Sequence, residues 1–364
     1  MLDIFKRLAR VFKRRRVQTD SLVFRLHYSV TVAFLLLFCV IVTFNQYFRR
    51  PVVCRENGTK DNMLNEFCLT QSKFVPQEIP DRADASITVK KGERETITLK
   101  YYQWISIYLF FQAILFYVPR FLWKNWEGGK LRALRNFVNV GFMTEYEQQD
   151  KKAQLAAYLH DHRHSHTWWT YQYLLCEALA LINVLGQMFF LDKLFDGKFW
   201  SLGQEVLNYT ESNSTDPVTQ LFPRSGQCLY YLYGASGVMQ LYSTICVLSL
   251  NILYAKIFVF LWFWFVMLLI VTSAWIIFRF AMVTIPWIRR FLLYIRCGCH
   301  VQKYTIYRIV ACSNVGDWFF LNMVGQNVDT VLFSEVLKDL ANKLGEEKAS
   351  DLEFKMSRFS NINE

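Results

Sequence analysis

Hydrophobic residues in this chain gather in four long blocks, and polar residues fill the segments between them. Positions 26–48, 101–118 and 257–278 contain no Asp, Glu, Lys or Arg, and positions 167–191 contain only Glu177. A helix of about 20 apolar residues crosses the hydrocarbon core of a bilayer, so each block predicts a membrane span. The second block marks its own ends. It opens on Tyr101, Tyr102, Gln103 and Trp104 and leaves through Pro119, Arg120, Trp123, Lys124 and Trp126. Tyr and Trp collect at membrane boundaries and Lys and Arg at the cytoplasmic end, so this span is expected to run from outside to inside. Pro119 is expected to bend it before its basic exit.

The pattern predicts a cytoplasmic amphipathic helix and linker at 1–25, spans at 26–48, 101–123, 167–191 and 257–280, and extracellular loops at 49–100 and 192–256. A cytoplasmic loop follows at 124–166 and a cytoplasmic C-terminal region at 281–364. Alternating runs at 87–90 and 96–99 predict some strand in the first extracellular loop. Good helix formers at 146–160 and helical spacing over 316–340 predict a helical cytoplasmic part. The expected class is an all-α membrane protein: a four-transmembrane-helix bundle with extracellular loops holding disulfides and some β.

Composition and charge agree with this layout. The 364 residues are 53% hydrophobic and 17% aromatic, high for a water-soluble chain. The formal charge of +11 lies near the ends of the apolar blocks rather than on one soluble face. Lys6, Arg7, Arg10, Lys13, Arg14, Arg15, Arg16 and Arg25 precede the first block, and Arg279, Arg289, Arg290 and Arg296 follow the fourth. The positive-inside rule then puts both termini in the cytoplasm, and membrane orientation accounts for the charge without a nucleic-acid partner. No cleavable leader precedes the first block, which is expected to serve as its own insertion signal.

Candidate chemistry is sparse. Leu2, Phe5, Leu8 and Phe12 share one face of a short basic helix, suited to lying on anionic lipid or to folding into a pore made by several copies. His160, His162, His164 and His166 lack a carboxylate or thiol set at ligand spacing and are expected to be a solvated polar run. Glu177, Asn183 and Gln187 fall roughly on one helical face and suit interhelical hydrogen bonding. At Cys297-Gly298-Cys299-His300, acylation or no modification is expected before zinc. No nucleophile elbow, phosphate loop, HExxH or dinucleotide fingerprint is present, so neither an enzyme nor a cofactor is expected.

The loops say more. Cys54 and Cys68 lie in the first extracellular segment and Cys228 and Cys246 in the second, where disulfides form; three pairings are open. Three glycosylation sequons, at Asn57, Asn208 and Asn213, fall in the same two segments.

The chain resembles an innexin of the insect type. The resemblance rests on YYQWI at 101–105, FFQAILFYVPRFLWKNWEGG at 110–129, CEALALINVLGQMFF at 176–190, LDKLFDGKFW at 191–200, IFVFLWFWF at 257–265 and VGDWFF at 315–320. It implies a plasma-membrane gap-junction subunit. Such subunits form a ring of eight, alone or mixed with other innexins, which docks with a ring on an apposed cell and passes ions and small metabolites. It implies that the helix at 2–12 lines or plugs the inner mouth, and that the loops are joined by Cys54 with Cys246 and Cys68 with Cys228. LSLNILYAK at 248–256 departs from the family, with Ser249 in place of proline and Ala255 in place of glutamate, as do LYYLY at 229–233 and QLYST at 240–244. Such divergence is similar to that of the vinnexins of polydnaviruses. Alternative functions are an undocked, pannexin-like hemichannel and a non-conducting four-span adhesion or scaffold protein.

Overall fold

In a computed structural model of the chain, residues 18–49, 51–55, 62–71, 73–76, 97–98, 104–138, 145–209, 217–233, 236–298 and 301–360 are described. Each apolar block becomes one long helix. These are α1 (Leu22–Phe48), α3 (Ile105–Glu127), α6 (Thr167–Leu194) and α9 (Ser249–Thr284). At 1.5 Å per residue all four are long enough to cross a bilayer. The second starts at Ile105 rather than 101 and runs through Pro119. The fourth begins at Ser249, well before the apolar run, because the strand ahead of it passes directly into helix.

Between these helices lie β1 (Val52–Arg55), α2 (Asn62–Gln71), β2 (Lys73–Pro76), β3 (Ile97–Thr98), α4 (Lys130–Val138), α5 (Glu145–Asp161), α7 (Phe199–Asn208), α8 (Pro217–Leu221), β4 (Ser225–Tyr233) and β5 (Met239–Leu248). After α9 come α10 (Pro286–Arg296), α11 (Lys303–Cys312), α12 (Val315–Asn327) and α13 (Thr330–Ser360). Proline at the first position of α10 suits a helix start, where an N–H would have no intrahelical partner.

The chain divides into two compact units whose boundaries fall inside the long helices. The sheet unit, Leu26–Tyr117 and Leu181–Val271, holds the five strands of the described residues in the order β1-β5-β4-β2-β3. The described pairs are antiparallel. Its core joins Leu35, Phe116, Val184, Phe258 and Phe265 of the long helices to Phe195, Phe199 and Phe222. The helical unit comprises Met1–Arg25, Val118–Ala180 and Thr272–Glu364. There α13 packs along α5, and Lys152 pairs with Glu335 between them.

In α1 a π-helical turn at Leu26–Thr31 interrupts the α-helix. The Thr31 hydroxyl donates to the Leu26 carbonyl at 3.0 Å and accepts from Trp264 Nε1 at 2.9 Å. The side chain thereby takes up a carbonyl of the irregular turn and ties it to α9.

Candidate functional site

In the sheet unit the hairpin of β4 and β5 alternates near its base, with Gln240 and Tyr242 exposed toward the tip. Gly226, Cys228, Tyr230, Thr244, Cys246 and Leu248 face inward and are buried, whereas Tyr231, Tyr233, Met239, Ile245 and Val247 are exposed on the opposite face. A period of two places successive side chains on opposite faces, so this register leaves an apolar stripe exposed among the described residues. Gly237, at φ +74°, lies in the turn joining the strands.

Two disulfides clamp this hairpin. Cys54 on β1 lies directly opposite Cys246 on β5 and is bonded to it. Cys68 on α2 is bonded to Cys228 on β4. The four residues are buried together, and Asn65 Oδ1 accepts the Cys54 backbone N–H at 2.7 Å. The sulfurs of Cys54, Cys68 and Cys246 lie within 4.8 Å of one another, but disulfide sulfurs are not thiolates and do not make a metal site.

The run LDKLFDGKFW is a hinge between α6 and α7. Asp192 Oδ1 accepts the Trp200 N–H at 2.9 Å, and the chain reverses through Asp196 and Gly197, both at positive φ. Phe195 and Phe222 then pack edge-on and stacked, respectively, on Phe258 of α9. Trp262 Nε1 donates to the Trp200 carbonyl, fixing α7 to the same helix.

In the helical unit a second constellation gathers around Gln18–Ser21. Asn327 is bonded twice to Gln18: its Oδ1 accepts the Gln18 N–H at 2.6 Å and its Nδ2 donates to the Gln18 carbonyl at 2.8 Å. Trp123 Nε1 donates to the Thr19 carbonyl at 2.9 Å, and Arg120 pairs with Asp20 at 3.3 Å. The Ser21 N–H donates to the Tyr173 hydroxyl, and the Ser21 hydroxyl donates to Glu177 Oε1, both at 2.9 Å. Glu177 is buried and also accepts from Trp275 Nε1 at 3.0 Å and from Arg279 Nε, at 3.0 Å, and Nη2, at 3.2 Å. The Arg279 guanidinium lies 5.4 Å from the Tyr173 ring, 4.8 Å from Trp275 and 5.0 Å from Phe319. Three helices, α3, α6 and α12, thus hold one short stretch directly after the N-terminal segment, and α9 braces the Glu177 that binds it.

The VGDWFF motif supports this anchor. Gly316 sits so close to α6 that a Cβ would come within 2.5 Å of Thr167 Cα. Trp318 Nε1 donates to the Arg289 carbonyl at 3.1 Å, and Phe319 packs on Tyr173. Asp317 Oδ2 accepts the His164 backbone N–H at 2.8 Å, while Oδ1 lies 3.4 Å from His166 Nδ1. Burial works to raise the Asp317 pKa, but contact with His166, the His164 N–H and the charge of both imidazoles outweigh it and hold the carboxyl below the ordinary range.

Several expectations are corrected here. The histidine run is not uniformly solvated: His166 is buried and stacked 4.0 Å from Phe320, and the helix ends at Asp161. Glu177 makes the expected interhelical bonds, to Trp275 and Arg279 of α9, but Asn183 and Gln187 bond to each other at 3.3 Å within α6 rather than across helices. Arg279, read from sequence only as an orienting charge, is therefore the partner that sequence reasoning missed. Its signal was a lone basic residue one turn before the end of the fourth helix.

Other candidate residues are placed less fully. Trp104 is exposed in the turn before α3, and Pro119 leaves the Leu115 carbonyl without its usual helical donor. Asn208 is exposed at the last residue of α7. Leu2, Phe5, Leu8, Phe12, Asn57, Tyr101, Tyr102, Gln103, Asn213, Cys299 and His300 lie outside the described residues.

Comparison with known proteins agrees with these features. A family model described as innexin matches residues 20–344. The chain is 42% identical over 362 residues to innexin shaking-B of Drosophila melanogaster, covering 95% of each chain. It is 37% identical over 360 residues to innexin inx2 of Schistocerca americana, covering 94% of this chain and 98% of the relative. It is 36% identical over 360 residues to innexin inx2 of Drosophila melanogaster, covering 96% and 98%.

Proposed function

The chain belongs to the innexin family of multi-pass gap-junction channel subunits, a channel family rather than an enzyme family, and from that membership we propose how its parts work in the channel. Eight copies, identical or mixed with other innexins, form a ring around a wide pore. Both termini are cytoplasmic, 49–100 and 192–256 are extracellular, and the helix at 2–12 lines the inner mouth. Its basic residues would favour anions there through their field, provided they face the lumen. The ring docks with another on an apposed cell and passes ions and small metabolites.

The observation carrying this reading is the doubly disulfide-bonded hairpin of β4 and β5 with its exposed apolar stripe. The clamp keeps the exposed face of the hairpin rigid enough to meet a partner without a large ordering cost. The stripe supplies area that association would remove from water. The hairpin's LYYLY and QLYST sequences would then set which partner ring is accepted.

An undocked hemichannel is the second reading, favoured by the exposed Asn208 and by the sequons at Asn57 and Asn213. Glycans there would obstruct apposition. Recording from paired and single cells separates the two. Junctional current supports docking, current confined to single cells supports the hemichannel, and silence in both overturns each reading for homomers.

A further inference from the structure

In the sheet unit, α8 and the chain following it run beside the beginning of α9 and leave an open groove of about 420 Å³. Ligand sites span roughly 300–1,000 Å³, so this volume is ample for part of a small amphiphile. Its lining from α9 recurs at Asn251, Ala255 and Val259, one face of the helix, and Phe222 closes the other side. Arg224 and Lys256 line the same groove, and both are exposed. Asn251 is fully buried behind the groove, where its Nδ2 donates to the Pro223 carbonyl at 2.8 Å and ties the start of α9 to the chain after α8. The wall therefore pairs two exposed cations with an apolar floor.

We propose that this groove holds a membrane glycerophospholipid, with its phosphodiester on Arg224 and Lys256 and an acyl chain along Ala255 and Val259. The argument is one of matched polarity. Lys256 is the last charged residue before the apolar run of α9, which meets no further charge until Arg279. A polar boundary in that position lies at head-group depth, where long basic side chains direct their charge to phosphates and lay their stems on apolar surface. A free anion would use the two cations and leave the apolar wall unoccupied. A phospholipid uses both parts, with its phosphodiester on the cations and an acyl chain on the apolar wall. Ala255 adds no charge to the wall, whereas a carboxylate at this position would repel the phosphate. Assignment to the outer leaflet rests on the topology proposed above, whereas occupancy of the groove does not.

The test uses the full-length chain in phosphatidylcholine vesicles doped with a phosphatidylcholine bearing a diazirine midway along one acyl chain. After illumination, adducts are mapped by peptide mass spectrometry. The wild-type chain should be labelled at 255–260, and Arg224→Glu with Lys256→Glu should lower that labelling about fivefold or more, as loss of charge-assisted contacts implies. Labelling of the first span at 36–44 should stay constant, and Ala255→Trp, which fills the groove and keeps both cations, should give the same selective loss. Equal labelling of all three proteins overturns the proposal. Displacement of the label by inorganic phosphate overturns it in favour of a free anion. Absence of label at 255–260, with short amine-reactive cross-links joining Lys256 to another copy, overturns it in favour of a subunit interface. None of these readouts depends on conductance, so failure of the channel reading and failure of this one remain distinguishable.

Discussion

Glu177 on α6 and Arg279 on α9 form a buried ion pair in the helical unit, with Arg279 Nε 3.0 Å from Glu177 Oε2. Every described bond to the carboxylate comes from a donor that also helps hold Ser21 or the aromatic cage around the guanidinium. Breaking one partner strands the other charge in a dry site, at a cost of about 3–5 kcal/mol. Glu177→Ala and Arg279→Ala should each lower the melting temperature of the solubilised protein sharply. The double variant Glu177→Leu/Arg279→Met should recover much of the loss. If each single variant melts like the wild type, the pair is not structural.

The N-terminal anchor should be separable from folding. Asn327→Leu removes both bonds to Gln18, each worth about 0.5–1.5 kcal/mol. Delivery to the cell surface should remain near wild type while hemichannel current changes, because the lost bonds tether the chain directly after the N-terminal segment proposed to line the inner mouth. Unchanged current at equal surface density would detach this anchor from gating.

The disulfides span long stretches of chain, with sequence separations of 192 and 160. In the chain-entropy account the longer closure alone contributes about 5 kcal/mol, and the second, nested closure adds less. Cys54→Ser and Cys246→Ser should each abolish assembly or current. Cys39, whose thiol donates to the Ser106 carbonyl at 3.4 Å, a bond a serine hydroxyl can also make, should tolerate Ser with little effect.

Asp317 gives a pH dependence of known sign. Its folded pKa is depressed, so its stabilising contribution is present above the unfolded value, about 3.9, and is lost as pH falls through the folded one. Melting of the wild type should exceed that of Asp317→Asn at neutral pH and at pH 5. The gap should close only in stronger acid. A gap that persists below both pKa values would assign the effect to the amide substitution itself.

Gly316→Ala puts a methyl group 2.5 Å from Thr167 Cα, and a backbone contact has little freedom to move. A loss of about 1–3 kcal/mol is expected, read as lower thermal stability and surface delivery. Gly186→Ala, with open space around its added Cβ, is the matched control and should be neutral or slightly stabilising.

The sequence alone determined the four candidate spans, because uncharged runs of that length have few other solutions, and basic ends with Trp and Tyr belts supply the proposed orientation. It also brought out the cysteines, since two in each of two polar segments are conspicuous in a chain this apolar. It did not decide how α9 begins. Ser249–Lys256 is mixed in polarity, and only the strand running into it makes it helix. Nor did spacing pair Glu177 with Arg279, which stand 102 positions apart; charge pairing across a bundle depends on which faces meet, and periodicity within one helix is silent about its neighbour. His166 was misplaced for the same reason, because its burial comes from Phe320 and Asp317 on a distant helix. Tertiary structure decided these contacts, since removing a charge or an imidazole from water is tolerable only where partners from elsewhere in the chain converge on it.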